Sequence, residues 1–141
     1  MEIDIEYIKE VLEVFLNAKD PTVTIYDFPM FEYNDITTDE MKYFFFHLEI
    51  LRDQGFVEGS IGDPRNIGFK FNPSAKDYVC WSVPIRLCAS GHDCAAALAK
   101  PGVIDTLKTT FKDLGPSETV KVVFKLAEKA TNNLVAKALG E

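Results

Sequence analysis

One stretch constrains this chain more than any other, because residues 37 to 61 signal both ends of a helix and the strand that follows it. Thr37-Thr38-Asp39-Glu40 has the spacing of a capping box, with the Thr37 side chain bonding the Glu40 amide while Glu40 reaches back. Gly55 supplies a left-handed C-terminal cap. Between these limits Met41, Phe44, Phe45, Leu48 and Leu51, or the aliphatic stem of Arg52, form one stripe, so the spacing predicts a helix to about Gln54. Phe56-Val57-Glu58-Gly59-Ser60-Ile61 then reads as a strand. The run Tyr43-Phe44-Phe45-Phe46 holds more apolar surface than one helix face buries, so part of it is expected to meet another chain or a later helix.

Upstream, residues 4 to 18 place Ile5, Ile8, Val11, Leu12, Phe15 and Leu16 on one face of an amphipathic helix that Asp4 can cap. Pro21 ends it, because the residue before a proline avoids the helical region. Thr22-Val23-Thr24-Ile25-Tyr26 alternates and reads as a short extended strand, and residues 27 to 34 as a loop with one helical turn. Downstream, Gly62-Asp63-Pro64-Arg65-Asn66 is turn-rich, and Tyr78 to Leu87 is predicted to form the second strand of a hairpin with residues 56 to 61. Pro84 within that run places its strand at a sheet edge or at a bulge. Small-residue helix is expected from Ala89 to Lys100, a second helix over residues 102 to 114 through Val103, Ile104, Leu107, Phe111 and Leu114, and a last one capped by Ser117.

Helix, short strand, helical turn, capped helix and two-stranded ribbon is the order of a winged helix-turn-helix. The expected fold is therefore α+β and mostly helical, with a β-hairpin wing and a C-terminal helical extension. Residues 1–88 make the winged helix-turn-helix with an enlarged wing, and residues 89–141 the extension, packed on it or forming a homodimer interface. At 141 residues and 47% hydrophobic content there is ample material for one core. No apolar run approaches the roughly 20 residues of a membrane span, and Met1-Glu2-Ile3-Asp4 lacks the basic start of a secretory signal, so a cytoplasmic location is expected.

The net charge of −7 is unevenly spread. Residues 1 to 60 carry fourteen acidic and four basic side chains, a net of −10, whereas residues 61 to 141 carry eight acidic and eleven basic ones, a net of +3. An acidic first half repels phosphate within a Debye length of about 8 to 10 Å. The exposed face of the capped helix would present Asp39, Tyr43, Phe46, His47, Glu49, Ile50 and Asp53, a set suited to protein and poor for base edges or phosphates. Candidate DNA contacts lie elsewhere, at Arg65, Lys70 and Lys76 on the wing and at Lys121 and Lys125 on the last helix.

Catalytic chemistry is sparse. The chain has no HExxH, GxSxG, P-loop or dinucleotide fingerprint. Cys80, Cys88 and Cys94 are spaced by eight and six residues, which fits neither a disulfide framework nor a zinc ribbon, so reduced and mostly buried thiols are expected. His92 shares a helix face with Cys88, but a fourth ligand is lacking and no metal or cofactor is expected. A thiol dyad of Cys94 with His92 or His47 is the remote enzymatic alternative. The simpler role for His92 is structural, bonding a backbone carbonyl or filling a gap between helix and sheet.

Four stretches are similar, in order, to an uncharacterised winged-helix family of bacterial and prophage genomes. They are the first helix from Asp4 to Leu16; Phe46-His47-Leu48-Glu49-Ile50-Leu51-Arg52-Asp53-Gln54-Gly55-Phe56-Val57, which resembles the family's helix exit; Ile85-Arg86-Leu87-Cys88-Ala89-Ser90-Gly91-His92-Asp93, which resembles its strand-to-helix entry; and Lys112 to Gly140, with Leu114-Gly115-Pro116 in place of a glycine-rich turn. Phe46 stands where the family has tyrosine, and Cys88 where it has threonine. The resemblance implies a winged-helix fold and a mobile-element context, and it carries over no catalytic residue.

Two functions compete. The first is a non-enzymatic regulatory or interaction protein of phage or mobile-element type that grips DNA through the wing and C-terminal lysines. The second is an acidic inhibitor that imitates DNA and binds a host nuclease or defence complex.

Overall fold

Asp4 starts the first helix by accepting the Tyr7 amide on Oδ1 at 3.1 Å, and the helix, α1, runs over Ile5–Asn17. The coordinates are a computed structural model describing residues 1–110 together with Glu118, Lys121, Val122, Lys125 and residues 138–140. Apart from these positions, the expected last helix and the turn before it lie outside the described residues. In α1, Ile5, Ile8, Val11, Leu12 and Phe15 are buried. Leu16 is the exception to the predicted stripe, at 47% exposed, because it sits about 100° around the helix from Phe15 and beyond the buried arc.

After α1 the chain extends rather than forming a full strand. Val23 makes one isolated bridge, exchanging hydrogen bonds of 2.9 and 2.7 Å with Ile85, and Ile25–Asp27 turns into a single 3₁₀ turn. The capped helix, α2, spans Asp39–Asp53 and opens one residue later than its sequence suggested. The Asp35 carboxylate takes both the amide and the hydroxyl of Thr37, which leaves Thr38 to accept the Met41 amide at 3.2 Å. Gly55 sits at φ +75°, as a left-handed cap requires. Met41, Phe44, Phe45, Leu48 and Leu51 are all fully buried, each contributing about 1.5–3 kcal/mol relative to exposure.

The predicted hairpin is corrected. Residues 78 to 87 do not form one strand but two, β3 (Asp77–Cys80) and β4 (Ile85–Leu87), which turn to different partners. β4 pairs antiparallel with β1 (Val57–Gly59), in the register Val57 with Leu87 and Gly59 with Ile85. β3 pairs with β2 (Phe69–Asn72), a strand inside the segment expected to be the enlarged wing. Pro84 lies between the two, outside either ladder, and its carbonyl accepts the Ser60 amide at 3.0 Å. With Val23 on one side and β1 on the other, β4 is the middle element of its sheet, not an edge.

Two further helices, α3 (Ala89–Leu98) and α4 (Val103–Thr110), complete the described fold, an α+β arrangement of four helices with two small antiparallel sheets. Cys94, Ala95, Ala97 and Leu98 of α3 and Leu107 of α4 join the same hydrophobic core as α1 and α2. Close approach depends on Gly91, where a Cβ would lie 2.4 Å from both the Phe56 carbonyl oxygen and Leu87 Cδ1. None of the described helices is long and apolar enough to cross a membrane.

Candidate interaction surfaces

The β2–β3 hairpin lies against α2. One of its faces carries Phe69, Phe71 and Tyr78, and the Tyr78 ring stacks on Phe45 at 4.2 Å while Phe69 meets the same ring at 4.5 Å. Lys70 pairs across the ladder with Val79 on the other face, where both are exposed. The segment leading into the hairpin is tied to the end of α2 as well, since Arg65 Nη2 donates to Asp53 Oδ1 at 3.2 Å and Arg52 Nη1 donates to the Arg65 carbonyl at 3.4 Å.

These contacts redistribute the residues read as an exposed helix face. Asp39 and Asp53 are exposed; Tyr43, Phe46, Glu49 and Ile50 are partly buried. Burial raises the Glu49 carboxyl above its ordinary range, with Arg52 pulling the other way. His47 is the clear correction, for it is fully buried and cannot meet a partner. Its ring bridges two helices: Nε2 accepts the Asp4 amide at 2.9 Å and Nδ1 donates to the Tyr43 carbonyl at 2.8 Å. An amide can only donate, so Nε2 is the unprotonated nitrogen and Nδ1 carries the hydrogen. The Tyr43 hydroxyl closes the group by donating to Asp4 Oδ2 at 2.8 Å. Sequence spacing places His47 beside Tyr43 and Phe46 but cannot show that α1 arrives over it. The only signal was the polar cap residue Asp4 at the start of the neighbouring amphipathic helix.

Burial and its hydrogen bond to Asp4 push the Tyr43 hydroxyl up to about 12. Asp4 itself is lowered. Burial acts to raise it, but the Tyr43 hydroxyl and the Tyr7 amide stabilise the carboxylate more. Burial pulls His47 below the ordinary histidine value, against the opposing bond to the Tyr43 carbonyl and the Asp4 charge.

The arginines are spoken for, whereas most of the described lysines are not. Each of the chain's three arginines contacts a carboxylate: Arg52 and Arg65 with Asp53, and Arg86 with its cross-strand neighbour Glu58 at 2.7 Å. Lys121 lies 3.6 Å from Glu118, and Lys108 binds Glu6 at 2.7 Å. Lys70 and Lys76 stand exposed on the hairpin and at its turn, and Lys125 is exposed. Of the five candidate DNA contacts, Arg65 and Lys121 are thus paired with carboxylates. The homodimer expectation rests mainly on C-terminal residues outside the described ones.

Two open clefts lie on the acidic half. The larger, about 740 Å³, has Val14, Val23, Pro29 and Met30 among its walls, and Glu10, Glu13, Asp20 and Asp27 around them against the single cation Lys19. The smaller, about 430 Å³, is lined by Tyr7, Met30, Glu32, Asp39, Glu40 and Tyr43.

The three thiols and the remaining histidine differ in exposure. Cys94 is buried and its thiol pushed up to about 12 by desolvation, so it is protonated at neutral pH. Cys80 and Cys88 are only partly buried, less so than expected. His92 is exposed on α3, so it does not fill the gap between helix and sheet; Gly91 makes that approach instead. Among the described residues no three His, Cys, Asp or Glu side chains are grouped to hold a metal ion.

Compared with known proteins, the chain matches no protein-family model, no curated protein and no solved structure.

Proposed function

We propose that this chain is a non-enzymatic winged-helix interaction protein whose acidic surface docks a basic protein partner. The observation that carries the reading is the fate of the two elements a DNA reader would use. The hairpin lies on α2 through Phe45 and Tyr78, and the one arginine beside it is held by Asp53. The charged side chains that face solvent across the first sixty residues are mostly carboxylates, including those on the rim of the larger cleft. A surface of that sign steers cations toward it and phosphates away.

Support for the winged helix comes from strand order. Val23, β4 and β1 lie side by side with β4 central, and α2 leads directly into β1. The segment between β1 and β4 is then the wing, enlarged by its own β2–β3 hairpin. The resemblance to a prophage winged-helix family supports a mobile-element setting, in which blocking a nucleic-acid-binding protein of the host is one use for such a surface.

DNA binding remains the second reading, favoured by exposed Lys70 and Lys76 on the hairpin. An electrophoretic mobility shift with random duplex at about 50 mM salt, where phosphate contacts are strong, separates the two. The acidic-docking reading expects no shift. A salt-sensitive shift abolished by K70E/K76E overturns it in favour of DNA.

A further inference from the structure

We propose that His47 is a pH-sensitive latch that holds the start of α1 against α2 and releases it when the ring takes up a second proton. The ring is fully buried, and both nitrogens are committed to backbone groups, one on each helix. A proton on Nε2 would set an N–H directly against the Asp4 N–H with no acceptor between them, so the imidazolium cannot keep the closed geometry.

Relief lies beside it. The Asp4 carboxylate caps α1 through the Tyr7 amide and accepts the Tyr43 hydroxyl. An imidazolium formed next to it draws that carboxylate away from both partners. Protonation thus exchanges a helix cap for an ion pair, and the first turn of α1 is the element that loosens.

The groups facing the ring are Asp4 and Tyr7 from α1, and Tyr43 and the uncharged Phe46 from α2 itself. From α4, Lys108 binds Glu6 and is close enough to Asp4 to feel its charge, so it steadies the carboxylate but leaves the ring untouched. Burial favours the neutral ring, so the latch is closed above the ordinary histidine value of 6.5 and opens as pH falls below it.

Amide hydrogen exchange at Tyr7, followed by NMR on the full chain between pH 7 and pH 5 and corrected for the intrinsic rate, tests the latch. Protection at Tyr7 is expected to fall by about tenfold per pH unit below that value, while protection at Leu48 in the centre of α2 holds. His47→Gln keeps an acceptor near the place of Nε2 and cannot be protonated, so its Tyr7 protection is expected to be flat. Asp4→Asn keeps a capping oxygen but removes the charge that favours the imidazolium, and is expected to move the step to lower pH; it carries the test if His47→Gln does not fold. Flat protection at Tyr7 in the natural chain, the same pH dependence in His47→Gln, or an unmoved step in Asp4→Asn would overturn the proposal.

Discussion

Arg65 and Asp53 meet at 3.2 Å, so the segment leading out of β1 and the last turn of α2 neutralise one another. Their side chains are 66% and 50% exposed, which places the pair in water and limits its energetic value. A double-mutant cycle with Arg65→Ala and Asp53→Ala, read by urea unfolding, is expected to give a coupling below about 1 kcal/mol. A coupling of several kcal/mol would show that this ion pair, and not the aromatic stack beneath it, holds the hairpin segment in place.

The stack is expected to do most of that work. Phe45 is fully buried between Phe69 and Tyr78, so Phe45→Ala should cost about 3–5 kcal/mol. Thermal unfolding measures the loss. Limited proteolysis should in addition cut between residues 62 and 77 faster than elsewhere, since those residues lose the surface they rest on.

Gly91→Ala sets two effects against each other. Alanine favours a helix over glycine by about 1 kcal/mol, yet the added methyl meets the Phe56 carbonyl at 2.4 Å, and backbone cannot step aside as a side chain can. The clash should win, with a net loss of about 1–3 kcal/mol in denaturant unfolding, the range of an overpacked core. A more stable variant would mean that α3 can back away from the strands.

These contests show how far the sequence could be read. Periodicity fixes α1 and the buried stripe of α2 well, because five apolar residues at helical spacing leave few ways to face a core. It fails at residues 78 to 87, where one β-rich run serves two sheets. Local pattern carries no information about which partner a strand takes, and only Pro84 marked the change. β2 was legible in principle, as Phe69-Lys70-Phe71-Asn72 alternates, but it is four residues long and sits among turn signals. His47 escapes the local pattern for a related reason. It lies off the apolar stripe of its own helix, and what buries it is the start of another helix forty-three residues away.

Thiol reactivity provides a check on the core around α3. Cys94, desolvated and protonated at neutral pH, should react last with a maleimide or disulfide reagent at pH 8, well after the partly buried Cys80 and Cys88. Mass spectrometry of the labelled chain distinguishes the three. Equal rates would mean that α3 opens readily from the core.

Acid should unfold the protein in two stages whose signs follow from the groups involved. His47 is lowered by burial, so its contribution is complete above 6.5 and is lost as pH falls toward its folded value. Asp4, lowered on balance by its hydrogen bonds despite burial, contributes fully above 3.8 and is lost as pH falls through its lower folded value. Urea midpoints of the natural chain and His47→Gln, compared from pH 7 down to pH 5, should differ in slope, with the natural chain losing stability as its ring takes up a proton.

The Val23–Ile85 bridge also dictates an order of events during synthesis. Val23 leaves the ribosome long before Ile85, and the helix that closes the core, α3, comes later still. Until that point the apolar faces of α1 and α2 have one another but not their full cover, and a chain lacking α3 would display them to any passing hydrophobic surface. Residues 89 to 98 are therefore the cover on which the rest of this core depends.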